Sequence, residues 1–332
     1  MDAVLTCMVD EKTGPGELNA RLVQQTKDYF KVAGAVALRS PALALKYALA
    51  ALDVKKDGGV MVSALAPDWQ YSAVVEAGYK PIILDVDEET LLVTEDIVRE
   101  GIKKGGDVLL FHETSGFLPD FSVILGIGIP VIEDISQSAG ASENNQKAGT
   151  FGVFSILGLE QNDILTAGGG AVLMAPQQRE WTVLKNISEG LPSTDKLPDI
   201  NSALAYVQLK ELDRNEVIRK EIREAYCQSL MQGRYHTVSE KYDGAVAAVY
   251  SFPVVLSGDI KDVVEYALRK DIETAGTFHD SIVYCRRKLD GVDLSSCIKA
   301  MSLSLRCLNF PLYPRLGNAQ SVKIAKVLST LP

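Results

Sequence analysis

The first half of the chain alternates short apolar strand patterns with helical patterns, and few folds accommodate such an alternation. Strand patterns occur in the segments VMVSAL, KPIILDVD, DVLLFH and PVIEDIS. Helical patterns occur at 42–52, 69–77, 94–102 and 121–125. Strands joined by helices form right-handed crossovers, so we expect a mostly parallel sheet with helices on both faces. The consecutive strands VFSIL and GAVLMA pair with each other, which predicts an α/β fold with a mixed sheet.

The length of the chain predicts two domains. At 332 residues it exceeds the roughly 250 to 300 at which one core stops growing, so we expect a large domain at 1–232 and a smaller C-terminal α+β domain at 233–332. The large domain should end in one long charged helix at 201–231, in which Leu204, Val207, Leu212 and Ile218 follow helical spacing. In the small domain, short strands between 242 and 284 surround a helix at 260–270, and a helix at 318–331 closes the chain.

Composition excludes several classes of partner. A net charge of -9 argues against nucleic acid, because binding to phosphate backbones needs dense Lys and Arg. The longest apolar run, 123–132, is far shorter than the roughly 20 residues of a bilayer span, so no membrane partner is expected. The start of the chain has no basic segment followed by a long apolar one, which favours a cytoplasmic protein. The five cysteines are scattered without metal-ligand spacing, so no metal site is expected.

A set of longer stretches carries a family resemblance. In chain order they read GPGELNARLVQQTKDYF, ALRSPALALKYALAAL, VMVSALAPDWQYSAVVEAGYKPIILDVDEETL, PVIEDISQSAGA, GTFGVFSIL, GGGAVLMAP, LAYVQLKELDRN and LNFPLYPRL. Together they resemble the DegT/DnrJ/EryC1/StrS family of sugar aminotransferases, from about residue 14 to the C-terminus. The resemblance implies a pyridoxal-phosphate (PLP) dependent transferase fold of the aspartate aminotransferase type. It also implies a nucleotide-sugar-like ligand and a homodimer with the active site at the two-fold interface.

The resemblance assigns cofactor-binding roles to four residues. Asp134 matches the acid that faces the pyridine nitrogen, Gln137 the glutamine near the ring hydroxyl, and Ser155 a serine that binds the phosphate. Ser40 matches the first residue of the Ser-Gly-Thr phosphate cradle. Without the resemblance, Asp134 is equally an acid that caps the next helix, and Gln137 a surface polar residue.

Other positions depart from the family pattern. In the cradle, Pro41 replaces the glycine and has no N–H to donate, while Ala42 replaces the threonine and has no hydroxyl. The ring-stacking aromatic falls on Pro67; Trp69, two residues on, either substitutes for it or belongs to the core. The Asn and Arg that the family's partner subunit supplies align with Thr194 and Lys196.

The largest departure concerns the lysine that forms an imine with PLP in the family. Its place is filled by Glu160, Gln161 or Asn162, depending on where two extra residues are put, and no lysine occurs between Lys147 and Lys185. Carboxylates and amides have no nucleophilic nitrogen with which to form an imine. Some relatives use histidine here in a dehydration, but this segment has none. His112, after the strand DVLLFH, is a weak candidate for a chemical role and is otherwise a packed histidine.

These departures lead to two functional hypotheses. Each lost charge-assisted contact weakens binding by roughly 1.5 to 3 kcal/mol, so losing three or four would weaken PLP binding by several orders of magnitude. The first hypothesis is a non-transaminating homologue linked to nucleotide-sugar or surface-polysaccharide biosynthesis. The alternative is a sugar aminotransferase or dehydratase that uses PLP or its amine form (PMP) in an atypical site.

Overall fold

The computed structural model describes residues 2–231, 233, 235–238, 242, 244–257, 260–289 and 291–332. The helices of this part of the chain are α1 Asp2–Val9, α2 Glu17–Phe30, α3 Pro41–Ala51, α4 Asp68–Glu76, α5 Glu95–Lys103, α6 Phe121–Gly126, α7 Gln178–Glu189, α8 Asp199–Lys210, α9 Leu212–Leu230, α10 Ile260–Leu268, α11 Ile282–Arg286, α12 Ile298–Arg306 and α13 Asn318–Leu328. The strands are β1 Gly34–Leu38, β2 Gly59–Ser63, β3 Lys80–Leu84, β4 Gly106–His112, β5 Val131–Asp134, β6 Ser142–Glu143, β7 Gln146–Lys147, β8 Phe154–Gly158, β9 Ala171–Ala175, β10 His236–Thr237, β11 Ala245–Val246, β12 Phe252–Val255, β13 Ala275–Gly276 and β14 Cys307–Phe310.

The large sheet confirms the predicted α/β fold class. Its seven strands lie in the order β1-β9-β8-β5-β4-β2-β3. Strand β9 runs antiparallel to both of its neighbours, and the other strands run parallel to one another. Strands β2, β8 and β9 are buried along their whole length, as expected for a sheet covered by helices on both faces. The parallel strands therefore present their carboxyl ends at one edge, where such sheets bind ligands.

Helix α3 illustrates how sequence sets an element at that edge. The hydroxyl oxygen of Ser40 accepts a hydrogen bond from Leu43 N at 3.2 Å, which caps the helix. Pro41 occupies the first turn, where its missing N–H costs nothing. The face formed by Ala44, Leu45, Ala48 and Leu49 is fully buried against the sheet. The first turn of α3 is therefore capped by the chain itself, and the Ser40 oxygen already accepts a hydrogen bond.

The predicted long helix at 201–231 is wrong, because the chain divides at Glu211 into α8 and α9. The amide of Glu211 donates to the carbonyl oxygens of Val207 and Gln208, each at 3.2 Å. The φ of -92° and ψ of 0° at Glu211 depart from α-helical values, so α8 ends there and α9 begins. The predicted apolar face is wrong on α8 as well. Leu204 and Val207 are 40% and 39% exposed, whereas the small residues of this helix, with Leu209, pack into the core.

The C-terminal part forms a second, antiparallel sheet of the order β10-β12-β14-β13. Helix α10 confirms the predicted helix at 260–270, and α13 ends at Leu328, before the predicted 331. Tyr226 and Leu230 at the end of α9 pack into the core of this sheet. The predicted domain boundary, after residue 232, falls on a residue outside the described ones and stays a prediction. Within the described part of the chain, every helix is too short or too polar to cross a bilayer.

Candidate functional site

The candidate site lies where β4 and β5 end side by side. His112 and Asp134 are the last residues of these two strands and are register partners in the parallel ladder. The chain then turns through Glu113–Gly116 after β4 and Ser136–Ala139 after β5. Both end residues are buried, with exposures of 1% and 0%. The sheet thus places an imidazole and a carboxylate together in a dry environment.

Both carboxylate oxygens of Asp134 already have partners from the chain. Oδ2 accepts hydrogen bonds from Gln70 Nε2 at 2.6 Å and from His112 Nδ1 at 2.8 Å. Oδ1 accepts from Ser136 N at 3.1 Å and from the Ser136 hydroxyl. Burial acts to raise the pKa of Asp134, but the bonds and charge of His112, followed by the Ser136 bonds, outweigh it and lower the pKa. Asp134 is therefore a fixed buried anion.

Two atoms of this network remain without a hydrogen-bond partner among the described residues. They are His112 Nε2 and Gln70 Oε1, both buried. With Nδ1 bonded to Asp134, the Nε2 atom of His112 and the Gln70 oxygen can each bond to a buried water. His112, the weak catalytic candidate, thus lies where it can hold Asp134 in place.

Three further residues predicted to bind the cofactor also have partners within the chain. The Ser155 hydroxyl is fully buried and donates to the Gly149 carbonyl oxygen at 2.7 Å. Gln137 Oε1 accepts from Ser115 N at 2.7 Å. The third is Ser40, whose oxygen caps α3. Each of the three is thus engaged in a structural hydrogen bond, and Ser155 lies in register with Glu133 rather than with Asp134, near the start of β8.

The ring-stacking position and its neighbour belong to packed elements. Pro67 precedes α4 and forms an isolated bridge with Ser281 of the C-terminal part. Trp69 is half-buried in the first turn of α4 and packs against the core that contains α3. Near the end of β1, Lys196 bridges Leu38, and the exposed Thr194 bonds to its neighbouring aspartate. The proposed stacking role of Trp69 therefore remains a prediction.

The turn between β8 and β9 contains the three residues that fill the predicted lysine position. Glu160 Oε1 accepts from Gly170 N at 3.2 Å, which ties the turn to the glycine-rich segment. Gln161 and Asn162 are exposed, and the Asn162 carbonyl oxygen accepts from the Tyr250 hydroxyl at 2.6 Å. All three side chains belong to the start of the turn, and a fourth polar residue follows them.

That fourth residue, Asp163, turns inward towards Asp134. Its Oδ2 accepts from Glu160 N at 2.7 Å. The missing side chain of Gly158 leaves space for this carboxyl. An added Cβ at Gly158 would lie 2.3 Å from Asp163 Oδ2 and 2.5 Å from the Ser136 hydroxyl oxygen. Burial, followed by the negative charges of Asp134 and Glu160, raises the pKa of Asp163 to about 7. The site therefore pairs one fixed anion with one carboxyl that titrates near neutrality.

The sequence reasoning missed Gln70, Ser136 and Asp163. Asp163 stands between the exposed pair Gln161–Asn162 and the buried pair Ile164–Leu165. That step from polar to apolar residues was a readable signal that the chain re-enters the core there. Gln70 gave no signal, because an amide near a helix start is usually a surface residue.

Glu113 and Glu133 form a separate buried acid pair. Glu133 accepts from the backbone amides of Gly149, Phe151 and Gly152 at 2.6 to 2.8 Å, which organises the loop before β8. Burial, followed by the charge of Glu133, raises the pKa of Glu113 well above its usual value. The pair supports the loop.

The fold matches that of PLP-dependent aminotransferases. A protein of Streptococcus pneumoniae described as a sugar aminotransferase, solved in its PMP form, has a TM-score of 0.90 at 16% identity, covering 99% of this chain and 93% of that one. A DegT DnrJ EryC1 StrS aminotransferase from Brucella abortus has a TM-score of 0.88 at 19% identity, covering 99% and 94%. The GDP-4-keto-6-deoxymannose-3-dehydratase ColD, solved as a mutant with GDP-perosamine, has a TM-score of 0.84 at 19% identity, covering 98% and 96%.

The model of the DegT/DnrJ/EryC1/StrS aminotransferase family matches residues 1–329. The chain therefore belongs to this family. Its predicted membership and fold class are confirmed, and both extend over nearly the whole chain.

Proposed function

We propose that the protein is a non-transaminating member of its family, linked to nucleotide-sugar or surface-polysaccharide biosynthesis. The observation that carries this proposal is the saturation of Asp134. Gln70, His112 and Ser136 supply donors to both of its oxygens, so no acceptor position is left open for a pyridine nitrogen.

The phosphate and aldehyde ends of PLP also lack partners. Pro41 offers no N–H, and the Ser155 hydroxyl is committed to Gly149. The segment between Lys147 and Lys185 supplies carboxylates and amides but no amine. A cofactor that displaced Gln70 from Asp134 would break a buried bond to a charged group, at a cost of about 1.5 to 3 kcal/mol. The residues present therefore do not fit covalently bound PLP.

The negative charge around Asp163 also argues against bound PLP. The negative charges of Asp134, Glu160 and Asp280 all act on Asp163 to raise its pKa. They act over a short range in a partly dry site, where charge interactions are strong. A phosphate dianion placed among them would meet repulsion. The site around Asp134 therefore favours a ligand whose phosphate groups bind at a distance from these acids.

Family membership supports the biological setting. The structural neighbours include sugar aminotransferases and a dehydratase solved with GDP-perosamine. We propose a small nucleotide-sugar-like molecule as the ligand and a cytoplasmic homodimer as the working form, with neither nucleic acid nor a membrane as a partner. Exposed Leu204 and Val207 on α8 offer apolar surface that a second subunit would cover.

The alternative is a PLP- or PMP-dependent aminotransferase or dehydratase with an atypical site. The observation that favours it is the ionised state of Asp134, since its pKa is lowered. A carboxylate there would keep a pyridine ring protonated and able to withdraw electrons. The cofactor would then need Gln70 to swing away.

A spectroscopic titration separates the two functions. The purified protein is mixed with PLP, scanned for a visible band of a lysine adduct, reduced with borohydride and digested for mass spectrometry. We expect neither a band nor a reduced adduct in the cleft. The variant Gln70→Ala, with Gln228→Ala on the exposed face of α9 as its matched control, tests whether Gln70 closes the site. A stable band with a trapped lysine in the unmodified protein would refute the non-transaminating function.

A further inference from the structure

A cavity lies between the loop that follows His112, helix α9 and the segment that leads into β12. Its volume is about 340 Å³. We call it the α9 cavity and define it by six of its lining residues: Ser115, Phe117, Lys220, Arg223, Thr237 and Ser251. Three of these carry hydroxyl groups and two carry positive charges. A cavity of this size accommodates a small organic molecule.

The cations of α9 are poorly compensated. Lys220 Nζ lies 3.6 Å from Glu216 Oε1, which also accepts from Val249 N at 2.9 Å. Among the described residues, Arg223 makes one side-chain hydrogen bond, a long one of 3.5 Å to the Val238 carbonyl oxygen. Within the described part of the chain, the other N–H groups of this guanidinium, which lines the α9 cavity, have no acceptor.

One turn earlier on α9, and outside the lining residues of the α9 cavity, Arg219 is a further cation with few partners. Its Nη2 donates to the Ile164 carbonyl oxygen at 3.4 Å. Within the described part of the chain, its Nε and Nη1 are buried without a partner. Burial lowers the pKa of Arg219, which reflects the cost of holding this charge away from water. An anion nearby would offset that cost.

Hydroxyl groups supply further donors. The Ser251 oxygen is buried and lacks a partner among the described residues. Ser115 has a left-handed backbone, with φ of 57°, and its amide is held by Gln137. Gly116 follows, also left-handed, and an added Cβ there would lie 2.1 Å from the Ala248 carbonyl oxygen. The loop is thus fixed against the segment that contains Ser251.

We propose that the α9 cavity binds the phosphate group of a small ligand. A phosphate offers several acceptor oxygens, which match the free donors of Arg223, Lys220 and Ser251. The phosphate alone would fill only part of 340 Å³, so the rest of the cavity takes the organic part of a phosphate ester. The carboxylate of Glu224 also lines the cavity, beside these cations.

Calorimetric titration of the full chain with inorganic phosphate and with ribose 5-phosphate tests the site, against sodium chloride at matched ionic strength. We expect saturable binding of the ester, and Arg223→Gln and Lys220→Gln should each weaken it by about tenfold or more. Arg214→Gln is the matched control, because Arg214 is an exposed cation of the same helix that pairs with Glu211. It should change the affinity by less than about twofold.

Two measurements distinguish loss of the binding site from misfolding of a variant. Arg223→Lys keeps the charge and should restore part of the affinity, which a purely structural role would not require. Urea unfolding without ligand reports whether Arg223→Gln remains folded. Tighter binding of the ester than of phosphate assigns the cavity to an organic phosphate, and equal binding assigns it to the free ion. Absence of saturable binding, or equal loss in Arg214→Gln and Arg223→Gln, would overturn the proposal.

Discussion

Replacing Asp163 with asparagine should make the protein more stable, by an amount that grows with pH. The Asp163 pKa of about 7 compares with an ordinary 3.8. Folding therefore favours the protonated form, and the carboxyl's contribution to stability is lost as pH rises from 3.8 through 7. At about 1.36 kcal/mol per pKa unit, the full penalty above pH 7 is about 4 kcal/mol.

Asparagine is the right replacement because it stays neutral and keeps an oxygen for the amide of Glu160. We expect Asp163→Asn to gain about 1.5 kcal/mol at pH 5 and about 4 kcal/mol at pH 9, relative to the original chain. The asparagine side chain can also change stability by an amount that does not depend on pH. That amount cancels when the gains at pH 5 and pH 9 are subtracted, which leaves a difference of about 2.5 kcal/mol. That difference is the quantity to test.

Urea unfolding followed by circular dichroism at pH 5, 7 and 9 measures this quantity. Asp262→Asn, at an exposed position on α10, is the matched control and should give parallel curves. Groups far from Asp163 titrate equally in variant and parent and drop out of the comparison, whereas the neighbouring carboxyls of Asp134, Glu160 and Asp280 are coupled to Asp163 and contribute to the measured difference. Parallel curves for Asp163→Asn would refute the reasoning, since they would mean that Asp163 is ionised in the folded protein at neutral pH.

Three further substitutions test the packing of the site by urea unfolding. Gln70→Ala should cost about 1.5 to 3 kcal/mol, because it removes a buried bond to a carboxylate, while the exposed Gln228→Ala should change little. Ser40→Ala should cost about 1 kcal/mol through loss of the α3 cap, and an unchanged stability would mean that its oxygen is free. Gly158→Ala should cost at least about 1 kcal/mol and flatten the pH dependence, because the new Cβ displaces the Asp163 carboxyl; a retained pH dependence would contradict this.

Much of the large domain could be predicted from the sequence. The alternation of apolar and helical segments identified β2 to β5 and the helices between them, and family resemblance supplied the position of Asp134. The prediction of one long helix was wrong at Glu211, where α8 ends. There, helical spacing continues across the break, so periodicity alone could not show that α8 ends.

The partners of Asp134 were less predictable than Asp134 itself. Gln70 lies 64 positions earlier and His112 22 positions earlier, so their convergence depends on strand order and register. In the β8–β9 turn, the length of the turn left three positions open, and the inward residue proved to be the fourth, Asp163. Local sequence cannot decide which of several polar neighbours faces the core, because that depends on the room that Gly158 provides.

The Asp134 site shows why residue identity alone is a weak guide to cofactor binding. An acid at the carboxyl edge of a sheet must be compensated by something, whether a cofactor or the chain itself. Here Gln70, His112 and Ser136 supply that compensation, and a second carboxyl, Asp163, stays protonated up to about neutral pH because it is buried and lies near the negative charge of Asp134. Ligand sites are better sought where buried polar groups lack partners. Ser251, which lines the α9 cavity, meets that criterion, and so do His112 and Gln70 in the Asp134 network, whose free atoms a buried water can satisfy.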